Sequence, residues 1–184
     1  PLVGHAAIGL HSLASCVVFA KRLFLKEPAA KAGDPDRKID IGYVGEVEWV
    51  NGALLKALVE AEYIPVIAPI ARDAAGGKLN VNADSVAGHV AAAVKADKLV
   101  LVSDTHGIRT SGDAESLAKH LSRSQIDELV SSGVITAGML PKVEASITAL
   151  EAGVSKAHII DGRIPHSLLL EVYTNEGIGT EIVL

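Results

Sequence analysis

Lys142 stands in a sequence context that predicts an anion site. It follows Gly138-Met139-Leu140-Pro141, and proline is favoured at the first position of a helix. A lysine in a first helical turn lies near the positive end of the helix dipole, which is unfavourable unless a bound anion balances it. Free backbone N–H groups and the Lys142 ammonium could hold that anion together, which suggests phosphate chemistry. The alternative is a lysine that extends into solvent.

Two polar segments each follow a predicted strand and precede a predicted helix or turn. Residues 103–108 follow the most apolar strand, and residues 161–166 follow the next. Open α/β sheets bind ligands beyond the carboxyl ends of their strands, so both segments are expected site positions. Asp161 and Arg163 could pair, and His166 could bind a ligand. The alternative is ordinary turn chemistry of Asp and Gly.

Asn80 and Asp84 lie on either side of another predicted strand-to-helix junction. Both could point into a cleft at the end of the strand. Asn and Asp are also common at helix starts for purely structural reasons, so capping is the alternative. Near the end of the sequence, Glu176 stands beside Gly177 and Gly179. Such a loop could enclose a small cationic ligand, or it could be a plain loop.

The elements that must position these residues alternate between strands and helices, which indicates the α/β class. Asn51 and Asn82 are predicted helix caps, and Ser124 with Asp127 is a predicted capping pair. The prolines within 64–70 indicate an edge strand or a strand end. Predicted strands are one or two within 1–25, a pair or a long bent strand at 39–50, then 64–70, 78–81, 98–102, 157–160 and 180–184. Predicted helices are 51–62, 83–94, 124–131, 141–152 and 165–172.

Composition restricts the function classes. Of the 184 residues 49% are hydrophobic and 3% aromatic, so small aliphatic side chains must fill the core, as in parallel α/β sheets. The net charge of −5 argues against nonspecific nucleic-acid binding. Cys16 is the only cysteine, which excludes an intrachain disulfide framework and fits a reducing cytoplasm. Every apolar stretch that reaches transmembrane length contains His, Lys or Arg, so no membrane role is expected.

Five segments together resemble the N-acetylglutamate kinase family, a branch of the amino-acid kinases. The likeness covers roughly residues 39–184 and is weaker before them. The Asp-Gly-Arg-x-Pro-His pattern distinguishes this family from other amino-acid kinases. The segments are Asn80-Val81-Asn82-Ala83-Asp84, Ser103-Asp104-x-x-Gly107-Ile108, Gly138-Met139-Leu140-Pro141-Lys142-Val143, Asp161-Gly162-Arg163-Ile164-Pro165-His166 with the following residues to Glu171, and Glu176-Gly177-Ile178-Gly179-Thr180.

The resemblance implies an amino-acid-kinase-like α/β sandwich with a largely parallel central sheet. Residues 1–95 would be the remainder of the amino-acid-substrate-binding half, and residues 96–184 the nucleotide-binding half. The implied activity is ATP-dependent phosphorylation of N-acetyl-L-glutamate to N-acetyl-L-glutamyl 5-phosphate in arginine biosynthesis, with Mg²⁺ bridging the phosphates. The implied location is the cytoplasm, or the plastid in a plant or alga.

The resemblance also implies roles for individual residues. Lys142 corresponds to the lysine that stabilises the transferring phosphoryl group, Asp84 to the aspartate that orients the catalytic lysines, and Asn80 to a substrate-binding asparagine. An arginine effector site would include His166, Glu176 and Gly179. Implied partners are a PII-type regulator and further copies of the chain, in a dimer or a dimer-based hexamer. The implied nucleotide-binding residues are Ser103, Asp104, Gly107, Ile108, Gly138 and Met139.

The sequence departs from the family pattern near its start. The family begins with a strand that carries a second lysine and with glycine-rich loops, and we expect these N-terminal strands and loops to be missing here. Gly9-Leu10 is followed by His11 where the family has a glycine- and charge-containing loop. We therefore expect the isolated chain to bind ATP but to turn over little or not at all. The alternative is a non-catalytic nucleotide- or arginine-binding module.

Overall fold

The computed structural model describes residues 6–11, 15–27, 37–111, 113, 116–174 and 177–184. It divides into two compact units, the first ending at Val86 and the second beginning at Ala87. The division falls inside a helix, Ala83–Val94. The predicted loop at 26–37 lies mostly outside the described residues. The predicted assignment of the two halves to substrate and nucleotide stays a prediction.

The first unit is built on a small closed barrel. Strands β2, β3, β6 and β5 form the barrel in that order, and β1 pairs with β4 in a separate parallel two-stranded sheet. Among the described strands β1 and β4 pair only with each other, so β4 is an edge strand, as the prolines near Pro65 predicted. The elements are β1 (Ala6–Leu10), β2 (Val18–Glu27), β3 (Arg37–Val50), α1 (Gly52–Glu60), β4 (Tyr63–Ile67), β5 (Ile70–Arg72) and β6 (Lys78–Asn80).

The long bent strand predicted at 39–50 is confirmed as β3. It pairs antiparallel with β2 from Val18 opposite Val50 to the far end of the hairpin, with two register irregularities on the way. Gly42 has a φ of +86°, a conformation that favours glycine, within the irregular part. Inside the barrel, a Cβ on Gly45 would lie 2.9 Å from the Leu79 Cβ. The close approach of β3 and β6 therefore requires glycine at this position.

Two helix starts of the predicted pattern are confirmed. The Asn51 side chain accepts a hydrogen bond from the Leu54 N–H at 3.1 Å and caps α1. The Asn82 side chain accepts one from the Ser85 N–H at 3.0 Å and caps the next helix. Both asparagines satisfy N–H groups that have no partner within their helix.

The second unit is a four-stranded mixed sheet with helices. The sheet order is β7-β9-β10-β8, in which β7 and β9 are parallel, β8 and β10 are parallel, and β9 and β10 are antiparallel. The α/β class with parallel strand pairs is confirmed. The elements are α2 (Ala83–Val94), β7 (Lys98–Ser103), β8 (His120–Ser122), α3 (Arg123–Ser131), α4 (Leu140–Glu151), β9 (Lys156–Asp161), α5 (Ser167–Tyr173) and β10 (Thr180–Val183).

The core of the second unit joins the sheet to its helices. It contains side chains from β7, β9 and β10 together with side chains of α3 and α4, such as Leu101, Ile159, Ile182, Ile126 and Leu150. All five are nearly or fully buried. Burial of this apolar surface is the main force that holds the unit together. Among the described residues, no helix combines the length and apolar character that crossing a bilayer requires.

The predicted capping pair of Ser124 and Asp127 is wrong. Ser122 caps α3: its side chain accepts from the Gln125 N–H, and the Gln125 side chain accepts from the Ser122 N–H at 2.8 Å. This reciprocal pair is the capping box of a serine followed three residues later by glutamine. The box was missed because β8 runs into α3 with no intervening loop.

Candidate functional site

A cavity of about 490 Å³ lies where β7 and β9 end. The last residues of the two strands, Ser103 and Asp161, are directly opposite each other, and the Gly162 N–H donates to the Ser103 carbonyl at 2.8 Å. Segments 103–108 and 161–166, each an expected site position, therefore begin side by side. The lining residues that matter below are Asp104, His106, Gly107, Ile108, Met139 and Arg163.

Four of the six predicted nucleotide residues line this cavity, namely Asp104, Gly107, Ile108 and Met139. Ser103 and Gly138 are their chain neighbours but are not among the described lining residues. Ser103 is half-buried at the end of β7, and its hydroxyl lies 3.4 Å from an Asp104 carboxylate oxygen. Gly138 is exposed, and a Cβ there would meet nothing within 4 Å. Their predicted roles stay predictions.

Asp161 organises the charged side of the cavity. Its carboxylate is buried, and the predicted pair with Arg163 is observed: the guanidinium donates to both carboxylate oxygens at 2.9 and 2.7 Å, and the Arg163 N–H donates at 2.9 Å. The His106 Nδ1 lies 3.0 Å from the same carboxylate, a contact that the sequence did not predict. These contacts, led by the Arg163 side chain and then its backbone N–H, lower the pKa of Asp161 to about 2.

The low pKa of Asp161 predicts a specific acid sensitivity. The ordinary pKa is 3.8, so the ionised carboxylate stabilises the fold above that value, and this contribution is lost as the pH falls through about 2. We expect Asp161→Asn to have a lower free energy of unfolding than the wild type at neutral pH. The difference between the two proteins should shrink as the pH falls from about 4 to 2. Urea unfolding at several pH values measures the gap.

A matched control for this experiment is Asp127→Asn. Asp127 also pairs with an arginine, Arg123 at 3.1 Å, but its side chain is 59% exposed. Exposed ion pairs contribute little to stability, so the control should remain close to wild type throughout. A stability gap between wild type and Asp161→Asn that stays constant from about pH 5 to 2 would contradict the assignment.

The start of α4 differs from the expectation of free N–H groups. Pro141 occupies the first turn as predicted, and no side chain caps the helix. However, the N–H groups of Met139 and Leu140 both donate to the Thr136 carbonyl, and the Lys142 N–H donates to the Met139 carbonyl. The expectation of free N–H groups is therefore wrong for these residues. An anion at this end of the helix would meet the half-buried Lys142 side chain instead.

Asn80 lies in the first unit, at the end of β6. It lines a second cavity of about 490 Å³ together with Tyr43, Ile70, Lys78 and Leu79. Lys78 and Asn80 are two residues apart on one strand, so their side chains leave the same face. Among the described residues, Lys78 forms no ion pair. The cavity thus presents one cation and one amide against apolar walls.

Asp84 is half-buried in the first turn of α2. Because Asn82 supplies the cap, the Asp84 carboxylate is not needed for that purpose. A carboxylate in a first turn is still favoured by the helix dipole. Its predicted role toward the catalytic lysines stays a prediction.

The predicted effector residues lie around α5. His166 precedes this helix with a φ of +60°, is exposed and caps no N–H group with its side chain. Gly179 is buried, and Glu176 lies outside the described residues. Sequence reasoning missed Glu171, whose carboxylate accepts from the N–H groups of Ile178 and Gly179 at 2.7 and 3.1 Å.

The ionisation of Glu171 is set by opposing effects. Burial acts to raise its pKa, but the Ile178 N–H, the His158 side chain and the Gly179 N–H act to lower it, and the pKa lies below the ordinary value. Glu171 is therefore a charged anchor for residues 178–179. A buried carboxylate thirteen residues from a buried histidine has no short-range sequence signal.

Known proteins are similar to this chain in sequence and in fold. The profile of the amino acid kinase family matches residues 4–161. The acetylglutamate kinase of Sulfurihydrogenibium sp. is 48% identical over 185 residues, which cover 98% of this chain and 61% of that protein. The chain thus spans about three fifths of the length of this curated relative.

Solved structures give the same fold. N-acetylglutamate synthase from Neisseria gonorrhoeae, complexed with coenzyme A and N-acetyl-glutamate, superposes with a TM-score of 0.79 at 24% identity, covering 97% of this chain and 38% of that one. Carbamate kinase from Giardia lamblia, bound to AMP-PNP, gives 0.61 at 20% identity, covering 87% and 52%. At these identities the likeness supports the fold alone. The family match and the relatives together show that this chain belongs to the amino acid kinase family.

Proposed function

We propose that this chain carries ATP- and acceptor-binding residues for the phosphorylation of N-acetyl-L-glutamate to N-acetyl-L-glutamyl 5-phosphate, a step of arginine biosynthesis. The observation that carries the proposal is the cavity at the ends of β7 and β9, which gathers four of the six predicted nucleotide residues. The 48% identity to an acetylglutamate kinase supports the same activity.

The cavity offers groups suited to a nucleotide. Val134 and Met139, both half-buried, supply apolar surface for a base, and the exposed Asp104 carboxylate can accept hydrogen bonds from hydroxyl or amino groups. The Gly107 backbone lies in the cavity wall, and the position of its absent Cβ faces the Thr180 hydroxyl at 2.5 Å. Arg163 keeps its guanidinium 62% exposed despite its pair with Asp161, so it can also face phosphate oxygens.

Phosphoryl transfer depends on positioning and on stabilising the charge of the transferring group, with little covalent help from the protein. We propose that the Lys142 ammonium supplies this charge stabilisation. The family resemblance alone supports the proposal that Asp84 has the role of the aspartate that orients the catalytic lysines. Among the described residues, no three His, Cys, Asp or Glu side chains form a metal site. In kinase sites Mg²⁺ is held by one or two carboxylates together with substrate phosphates and water. When bound, the ion would neutralise phosphate charge.

The second cavity, which is lined by Lys78 and Asn80 among others, suits the acceptor. N-acetylglutamate carries two carboxylates and an acetamide on a short apolar chain. Asn80 can donate to a carboxylate or pair with the acetamide, and the Lys78 ammonium matches a carboxylate. The exposed side chains of Ile70 and Tyr43 can pack against the methylene groups. We propose that Asn80 and Lys78 bind this acceptor.

We expect Asn80→Ala to weaken N-acetylglutamate binding by about tenfold, since it removes a hydrogen bond to a charged group. Isothermal titration of the full chain, with ATP binding measured in parallel, gives both affinities. ATP binding should remain unchanged. Asn51→Ala is the matched control, because it removes a helix cap in the same unit and should leave acceptor affinity intact. Equal acceptor affinity of the Asn80 variant and wild type would exclude Asn80 from the site.

The family resemblance supports further proposals that rest on it alone. We propose cytoplasmic location, homo-oligomer formation and regulation by arginine around His166, Glu176 and Gly179. A PII-type protein is proposed as a regulatory partner on the same basis.

A further inference from the structure

We propose that Thr180 is a positioning residue of the nucleotide cavity and acts through the backbone of Gly107 and Ile108. Its hydroxyl is fully buried and accepts a hydrogen bond from the Ile108 N–H at 2.9 Å. The same hydroxyl donates to the Ala118 carbonyl at 2.7 Å. One side chain on β10 thus joins two segments that lie more than sixty residues away in sequence. The inference rests on the proposed nucleotide site.

The fit between Thr180 and Gly107 makes the cavity sensitive to this hydroxyl. Gly107 has a φ of +139°, and a Cβ there would lie 2.5 Å from the Thr180 oxygen. Ile108 is 1% exposed, so water cannot replace the hydroxyl as a partner for its N–H. The Ile108 carbonyl also accepts from the Ala118 N–H at 2.9 Å. The hydroxyl therefore holds Gly107 and Ile108, which line the cavity, in one conformation.

The two residues that precede Thr180 are also held in place by a side chain. The preceding N–H groups, of Ile178 and Gly179, are held by the Glu171 carboxylate. The other Glu171 oxygen lies 2.5 Å from the His158 Nδ1, and both side chains are 6% exposed. These contacts connect His158 through Glu171 to the backbone of Ile178 and Gly179, which directly precede Thr180 in the sequence. Buried contacts of this kind position residues well because they have few alternative arrangements.

The test compares Thr180→Val, which keeps the shape and removes the hydroxyl, with Thr180→Ser, which keeps the hydroxyl. We expect Thr180→Val to weaken ATP binding by at least about tenfold, and Thr180→Ser to stay within about threefold of wild type. Thr148→Val is the control, because the Thr148 hydroxyl donates only within α4, to the Glu144 carbonyl. Isothermal titration measures ATP binding.

Amide hydrogen exchange supplies a second readout that does not require ATP. In Thr180→Val the Ile108 amide should exchange at least about tenfold faster, while the amide of Leu150, buried in α4, should not. If Thr180→Val does not fold, Thr180→Ala is used in its place, because it removes the hydroxyl without adding the second methyl group of valine. ATP affinity of the hydroxyl-free variant within twofold of wild type would overturn the proposal. If wild type binds no ATP, the proposed function fails, and unchanged Ile108 exchange would then overturn the positioning role as well.

Discussion

Lys142→Ala is expected to slow phosphoryl transfer to N-acetylglutamate by about 10²–10³-fold, the usual cost of removing a group that stabilises transition-state charge. The physical reason is that the Lys142 ammonium, in the first turn of α4, would balance the negative charge that develops on the transferring phosphoryl group. Single-turnover assays, with the protein in excess over labelled ATP, measure the rate even when turnover is slow.

Nucleotide binding gives an independent view of the same lysine. If Lys142 contacts the transferable phosphoryl group, the alanine variant should lose about tenfold in ATP affinity and much less in ADP affinity. Lys98→Ala is the matched control, since Lys98 is exposed at the start of β7, at the opposite end of that strand from the cavity. Equal losses for ATP and ADP, or a rate within twofold of wild type, would contradict the role of Lys142.

Gly88→Ala is expected to destabilise the protein, although the same change stabilises an isolated helix by about 1 kcal/mol. A Cβ on Gly88 would lie 2.6 Å from the Ala145 carbonyl oxygen and 2.9 Å from its Cα, so α2 and α4 must move apart. Overpacking of this kind costs about 1–3 kcal/mol. Thermal unfolding should show a melting temperature lower by several degrees, at about 2–4 °C per kcal/mol.

The displacement should also reach Lys142, because Ala145 lies three residues after it on the same helix. We therefore expect weaker ATP binding in Gly88→Ala as well. Gly9→Ala is the control, since a Cβ there would meet nothing within 4 Å. A rise in melting temperature for Gly88→Ala, as in an isolated helix, would show that α2 and α4 do not approach as closely as the structure has them.

Local sequence signals predicted the features that are local in the structure. The Asn51 and Asn82 caps are confirmed because a cap is decided within three residues. The Ser122 cap was missed because its strand gives no loop signal before the helix. The N–H groups of Met139 and Leu140 were expected to be free, but the Thr136 carbonyl takes both from just before the helix.

In the candidate site, too, the short-range contact was predictable and the long-range contacts were not. The Asp161–Arg163 pair was predictable because the two residues are only two positions apart in the sequence. The contact of His106 with Asp161 depends on two strands ending side by side, which periodicity alone does not fix. The bond from Ile108 to Thr180 closes a loop of seventy-two residues, so no short-range pattern can reveal it. The family motifs include five cavity residues, Arg163 among them, and also Thr180, but they do not reveal the hydrogen bond by which Thr180 holds the Ile108 backbone.

Acceptor specificity tests the account most directly. The measurement is isothermal titration of the full chain, saturated with AMP-PNP, with N-acetylglutamate, N-acetylaspartate and carbamate in turn. We expect saturable binding of N-acetylglutamate, binding of the one-methylene-shorter N-acetylaspartate weaker by about tenfold or more, and no binding of carbamate. Binding of carbamate in preference to N-acetylglutamate, or no binding of N-acetylglutamate, would contradict the proposed function.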